Sequence, residues 1–404
     1  MKGFFSLQET TSTSRPDGKI YSCISCGAYK SCHSPKIEPQ GTGKIMIIGA
    51  FPNSLDDKRG LLFQGKDGKM VQKVFDEFDI DIYKDCILTN ALRCNLATTE
   101  ATRNPTNYEI QCCRRFLLKS IQALKPKLIF LLGDEALYSL IGHRWKKDLD
   151  KIAKWRGWVI PDQDFKCWIA PIYDAKKVDA CKGPEMYNIW KSDIANALAY
   201  FKKPFPEYIE PEIEYLEEDQ LDILYTIKDD IAFDYETTGL KPQEEGHRIV
   251  CVSIADSLNH VYTFMMPKSR KKRKSFIDLM QNPKIGKIAQ NMKFEDNWTN
   301  ERLGCSVENW VWDTMLATHI MDNRSGISGL KFQAYVQFGI VDYDSSVNPY
   351  LKAPNEDSKN NKNRIMELLE KPGGQKLLLK YCAYDSVYEY RLAFLQRPVI
   401  ELPF

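Results

Sequence analysis

The chain has 404 residues, enough for two or three domains at roughly 150 residues each, and 43% hydrophobic with 27% charged residues is a globular mixture able to bury sizeable cores. With 56 basic against 54 acidic residues the formal charge is +2, so any affinity for nucleic acid must come from local patches. No apolar run approaches the roughly 20 residues that cross a bilayer, and the polar start MKGFFSLQETTSTSRPDGK is no secretory signal, so the chain reads as intracellular, cytoplasmic and free of membrane partners.

In chain order, residues 1–20 read as a flexible arm. Residues 21–200 form the first expected domain. Lys44–Gly49, Asp85–Thr89 and Lys127–Leu132 are short apolar runs of the kind that make buried parallel strands, and Lys69–Phe78 and Tyr108–Leu124 between them have helical spacing. That alternation predicts an α/β three-layer domain. Residues 201–219, rich in Pro and Glu, read as a linker. In the second expected domain, 220–404, Asp230–Glu236, Arg248–Ala255, His260–Met265 and Lys284–Gln290 read as strands before mainly helical sequence, an α/β domain whose sheet starts from hairpins.

The cysteines are unevenly placed. Seven of the 12 fall between Cys23 and Cys113, and in a reducing compartment such a group points to metal or iron–sulfur ligation before disulfides. Cys23-x-x-Cys26 with Cys94 and Cys112 supplies four thiolates, which suit an iron–sulfur cluster or a structural zinc; free buried cysteines are the plain alternative.

Acidic residues mark the second domain. In Ile231–Leu240 (IAFDYETTGL), Asp234 and Glu236 are two apart and share one side of a strand, where two carboxylates repel and call for a cation. Ala289–Trp298 (AQNMKFEDNW) carries Asn291, Glu295 and Asp296 into a helix, and in Lys380–Arg391 (KYCAYDSVYEYR) Tyr381 and Asp385 lie four apart on one helix face. The run Lys268–Lys274 (KSRKKRK) is either a solvated hairpin loop or a contact for a phosphate backbone.

The segments FDYET, QNMKFED and YCAYD resemble the three motifs of the DnaQ-like 3′–5′ exonucleases, in the variant whose third motif is Tyr-x-x-x-Asp, and are most similar to the proofreading domain of family A DNA polymerases. Trp312–Asp322 and Ser328–Ile340 resemble the stretch between that domain's second and third motifs. The resemblance implies a ribonuclease H-like mixed-sheet fold and phosphodiester hydrolysis with two Mg2+ or Mn2+ ions, for which carboxylate oxygens are suited ligands. It implies that Asp234, Glu236 and Asp385 hold one ion, that Asp234 also touches the second, and that Tyr381 orients the attacking water. The family has Asp four residues after the motif's Asn; here that place is Glu295, with Asp296 next, so either reaches the second ion, and spacing favours Glu295. Asp313 resembles a structural position of the family.

In the first domain, Lys44–Gly65, Leu88–Cys94, Cys112–Leu118 and Pro126–Gly133 resemble the iron–sulfur uracil-DNA glycosylases of family 4, an αβα sandwich with a parallel sheet. By that resemblance Cys23, Cys26, Cys94 and Cys112 hold a 4Fe–4S cluster, Cys113 being the alternative to Cys112, and zinc remains the alternative ion. Phe63 corresponds to the aromatic residue on which the base stacks and Asn90 to the amide that reads its edge. The family's Gly-Glu is Gly49-Ala50 here, and its His-Pro-Ser corresponds to Ala170-Pro171-Ile172, so both activating side chains are expected to be missing; Asp56 and Asp57 are nearby acids.

Together these features lead to the expectation of a 3′–5′ DNA exonuclease joined to a glycosylase-like DNA-binding domain, an order that resembles the N-terminal part of certain bacteriophage DNA polymerases. The expected substrate is DNA with single-stranded or frayed 3′ ends, and the expected partner is a polymerase domain or subunit, since this sequence stops about 20 residues after Asp385. The competing expectations are a repair glycosylase with an accessory exonuclease fold and a non-enzymatic scaffold that tethers a polymerase.

Overall fold

The computed structural model describes residues 21–96, 103–145, 147–181, 183–353 and 362–400. The expected arm, 1–20, lies outside them. The chain divides into two compact units, Met1–Tyr208 with Tyr335–Val341 and Ile209–Ala334 with Asp342–Phe404. Among the described residues no helix is long and apolar enough to cross a membrane.

The first unit is built on a six-stranded sheet: β1 (Gln40–Gly41), β2 (Ile45–Gly49), β3 (Cys86–Asn90), β4 (Leu128–Leu132), β5 (Ile160–Asp162) and β6 (Cys167–Ile172), in the order β1-β3-β2-β4-β6-β5. The four central strands are parallel, as their uninterrupted apolar runs predict, and both edges pair antiparallel, which makes the sheet mixed. Helices α1 (Lys66–Asp76), α2 (Asn107–Leu124), α3 (Gly133–Arg144), α4 (Ala175–Ala180) and α5 (Pro184–Phe201) connect and flank these strands. Thr106 and Glu109 close a reciprocal capping box that fixes the start of α2. Burial of Ile45, Ile47, Leu88, Phe130, Phe75 and Trp190 forms the main core.

The second unit has another six-stranded mixed sheet: β7 (Glu212–Tyr215), β8 (Ile231–Thr237), β9 (Ile249–Ala255), β10 (His260–Met265), β11 (Lys287–Ala289) and β12 (Trp310–Asp313), in the order β12-β11-β8-β9-β10-β7. Strands β8, β9 and β10 are the expected antiparallel meander, while β11 and β12 run parallel beside β8. Helix α6 (Met292–Leu303) follows β11, and the long α7 (Gly374–Ile400) packs along β8 and β9. One stretch departs from the expected linker, 201–219. Within it, Glu212–Tyr215 is an edge strand, its charged sequence tolerated because its one partner, β10, supplies the hydrogen bonds and its outer side stays wet.

Candidate functional site

In the second unit, β8 carries Asp234 and Glu236 toward α7 from one side of the strand. The carboxylates of these two residues and the thiol of Cys382, on α7, offer ligand atoms that all lie within 4.8 Å of one another. Cys382 points its thiol at the Asp234 backbone and carboxylate oxygens, 3.5 and 3.6 Å away, and at Ser253 Oγ, 3.3 Å away. Tyr381 and Asp385, one helical turn apart, join the same group: the Tyr381 hydroxyl meets Asp385, with Glu236 and Asp234 close behind.

Glu295, on the first turn of α6, is buried with only 3% of its surface exposed and feels the Asp234 charge. Its Oε2 has no hydrogen-bond partner among the described residues. Asp296 is turned elsewhere, accepting from Asn300 Nδ2 at 3.0 Å and Trp310 Nε1 at 3.4 Å. Of the two acids that sequence left open, Glu295 is the one that faces Asp234. Asn291 sets the entry to α6 in the left-handed region at φ 69°. Asp313 accepts from the backbone N–H groups of Asn291, Met292, Met315 and Leu316, so it fastens the starts of two helices and is itself fully engaged.

Besides Cys382, Lys331 and Tyr343 are members of the site that were not singled out in the sequence. Lys331 Nζ donates to Asp385 and lies 4.5 Å from the Tyr381 ring centroid and 4.6 Å from that of Tyr343. The Tyr343 hydroxyl donates to the same Asp385 oxygen at 2.6 Å. Burial and the neighbouring Asp385 push the Asp234 carboxyl up to about 8, against the opposing pull of Lys331. Glu236 is raised by burial and by Asp234, and Glu295 by burial and Asp234. Tyr381 is raised well above the usual phenol range by burial and the surrounding carboxylates, so it is a neutral donor. Such crowded, desolvated acids favour either protons or cations. Oxygen donors around an orphaned carboxylate atom fit hard divalent ions.

The basic run Lys268–Lys274 connects β10 to a short helix, Lys274–Met280, and is no hairpin loop. Arg273 turns back onto the Pro267 and Lys268 carbonyls and Lys274 pairs with Asp278, which leaves Lys268, Arg270, Lys271 and Lys272 exposed.

In the first unit, a cavity of about 480 Å³ opens at the carboxyl ends of the parallel strands. Phe63 and Asn90 both line it. A Cβ at Gly49 would stand 2.4 Å from Asn90 Oδ1 and 3.1 Å from the Phe63 ring, so glycine there permits the amide and the ring to meet. Phe63 is held at φ 59°, with Tyr83 Oη donating to its carbonyl at 2.6 Å and Gly68 packed against the same carbonyl too tightly for any side chain. Ala50 also lines the cavity and offers no acid.

Ala170 is buried in β6 opposite Phe130, in the core, and is not among the residues that line the cavity. The residue that reaches the cavity from the end of that strand is Asp174. Asp67 and Glu135 line the cavity too; burial raises both, and the charge of Asp174 adds to each. Asp56 lines it as well, but its carboxylate accepts from the Gln64 and Asn53 backbone N–H groups at 2.7 and 3.2 Å. Asp57 accepts from those of His33 and Ser34 at 3.0 and 2.8 Å. These two acids build the loop.

The four cysteines converge from three segments. Cys23 and Cys26 sit on one helical turn capped by Ser22, Cys94 follows β3, and Cys112 lies inside α2. Cys26 feels Cys112 and Cys94, while Cys94 and Cys112 both feel Cys23. Four thiols from three segments are the donor set of either a structural zinc or an iron–sulfur cluster. Burial pushes Cys113 up to about 12 and Cys32 to about 12, so both hold their protons, and Cys113 packs with Leu92 and Leu96.

Residues 35–207 match the family model for the uracil DNA glycosylase superfamily, and residues 210–394 match that for the 3′-5′ exonuclease. Among curated proteins, the type-4 uracil-DNA glycosylase of Pyrobaculum aerophilum is 28% identical over 133 residues, covering 32% of this chain and 65% of that protein. That of Saccharolobus solfataricus is 26% identical over 161 residues, 38% of this chain and 71% of that protein. The chain thus spans about two thirds of the length of these relatives. Among solved structures, Brucella melitensis NrnC with bound Mg2+ is 18% identical with a TM-score of 0.34, covering 48% of this chain and 81% of that one. Escherichia coli RNase D, described as an exoribonuclease involved in structured RNA processing, is 13% identical with a TM-score of 0.33, covering 48% and 47%.

Proposed function

We propose that this chain, in which a uracil-DNA glycosylase-like domain precedes a 3′–5′ exonuclease domain, is a proofreading-type 3′–5′ exodeoxyribonuclease whose first domain holds DNA without excising uracil. The observation that carries the reading is the meeting of Asp234, Glu236, Asp385 and Tyr381 around one point, with Glu295 facing Asp234. These carboxylates would hold two divalent ions, which would supply the electrostatic stabilisation and water activation that phosphodiester hydrolysis requires. Tyr381, kept neutral, donates its hydroxyl proton and so orients the attacking water toward the 3′-terminal phosphate. Lys331 balances part of the carboxylate charge and pins Asp385 in place, while Tyr343 fixes the same oxygen. Single strands and frayed ends are the preferred substrates because no base pair has to open first. A DNA polymerase domain or subunit of the bacteriophage type supplies the mispaired ends.

The lining of the first domain's cavity supports a reading in which this domain binds and does not cut. Phe63 stacks an extruded base and Asn90 reads its edge. Cleavage of deoxyuridine leaves negative charge on the departing uracil, and Asp67, Glu135 and Asp174 around that cavity oppose it. Ala50 positions no water. Binding without differential stabilisation gives little rate. Cys23, Cys26, Cys94 and Cys112 hold a 4Fe–4S cluster that clamps the surrounding loops.

The polarity is tested with single-stranded DNA labelled at either end. Shortening from the 3′ end in Mg2+, stopped by EDTA, supports the reading; release of 5′ mononucleotides first, or cleavage in EDTA, contradicts it.

A further inference from the structure

Glu389 lies on α7 one turn beyond Asp385 and two beyond Tyr381, so the three share a helix face. It is among the most deeply buried charged residues, only 1% exposed. Its Oε2 has no hydrogen-bond partner among the described residues, the same orphaned state as Glu295 Oε2. Burying an unpaired carboxylate is costly unless a cation or a proton compensates it.

The charges around it are unequal. Glu389 feels Asp234 most, then Glu295, then Asp385. Glu236 feels Asp234, then Cys251, then Asp385, and Tyr381 feels Asp385, Glu236 and Asp234. Asp234 is common to these surroundings: Glu236 and Tyr381 feel it together with Asp385, and Glu389 feels it together with Glu295. Asp234, Glu236, Glu295, Asp385 and Glu389 carry five negative charges when ionised, and the Lys331 ammonium bonded to Asp385 leaves four, the number that two divalent cations neutralise.

We propose that Glu389 is a fifth carboxylate of the nuclease centre, serving the second divalent cation together with Asp234 and Glu295. This rests on the exonuclease reading above. It gives the longer Glu295 a partner acid, so the second ion is shared between two flexible glutamates.

The test is Mn2+ binding to the whole chain without DNA, followed by calorimetry and by the electron paramagnetic resonance of free Mn2+. The parental protein is expected to take up two ions. Glu389→Gln keeps shape and removes charge; it is expected to weaken the second ion about tenfold to a hundredfold, the usual scale for losing a supporting group at a metal site, and to leave the first within twofold. A second-ion affinity within twofold of the parental value overturns the role of Glu389 while leaving the nuclease reading standing. A parental protein that binds no Mn2+ overturns both. Should Glu389→Gln not fold, Glu389→Asp withdraws the oxygens by one methylene and keeps the charge: a weakened second ion supports the proposal, and unchanged binding overturns it.

Discussion

The two halves of the chain both place polar groups at the end of a sheet, yet they treat charge in opposite ways. In the second unit, Asp234, Glu236 and Asp385 gather near Lys331, and Glu295, its Oε2 orphaned, feels the Asp234 charge, an arrangement that invites cations. In the first, Phe63 and Asn90 line a cavity that the acids Asp67, Glu135 and Asp174 also line. One unit gathers carboxylates and a tyrosine beside an orphaned oxygen; the other sets an aromatic ring and an amide beside acids in a cavity.

The largest expected effect falls on the carboxylate site. Asp234→Ala with Glu236→Ala should lower the rate of DNA degradation by more than about a thousandfold, beyond the loss of one preorganised electrostatic group. Parental rates in that variant would remove the basis of the comparison. In the first domain, Cys94→Ser should abolish the brown colour and the stoichiometric iron of anaerobically purified protein, since the cage then has three thiolates. Zinc at one equivalent per chain in the parental protein would instead assign the cysteines to a single ion.

Smaller effects sharpen the contrast. Tyr381→Phe should reduce kcat about a hundredfold, the scale of a positioned proton donor, and leave DNA affinity near the parental value; an equal loss in affinity would mean that the hydroxyl grips the strand. Metal-free protein should also lose stability with rising pH. Asp234 is raised from its ordinary 3.8 to about 8 in the folded chain, so its contribution is present below about 4 and lost as pH rises through 8. The melting temperature in EDTA should fall across that window, and Mg2+ should flatten the fall because the bound ion replaces the proton. A melting temperature in EDTA that rises with pH over the same window would contradict this. The smallest effect belongs to Asn90→Ala, expected to weaken binding of uracil-containing single strands less than about tenfold, the scale of one lost hydrogen bond, with no abasic sites formed before or after.

Much of this was legible in the sequence because it is local. The strands at Ile45–Gly49, Cys86–Asn90 and Leu128–Leu132 fall within a residue of their apolar runs. Asp234 and Glu236 show their common side through the period of a strand, and Tyr381 and Asp385 through the period of a helix. That same period, continued one turn, would have found Glu389. Lys331 and Tyr343 were not legible, since only tertiary folding brings them to Asp385 across 54 and 42 residues. Glu212–Tyr215 was hidden for the same reason: four residues of charged sequence become a strand only beside β10. Asp174 was not legible as a cavity residue, since only the fold brings it to the lining beside Phe63 and Asn90.

The most direct measurement places both sites in one tube: a 3′-labelled single strand containing one uracil, incubated with the parental chain and with the Asp234→Ala, Glu236→Ala variant, in Mg2+ and in EDTA. The account predicts stepwise 3′ shortening by the parental chain in Mg2+ alone, none by the variant, and no abasic site at the uracil in any lane. Undiminished shortening by the variant, or alkali-labile breaks at the uracil that Asn90→Ala removes, would contradict it.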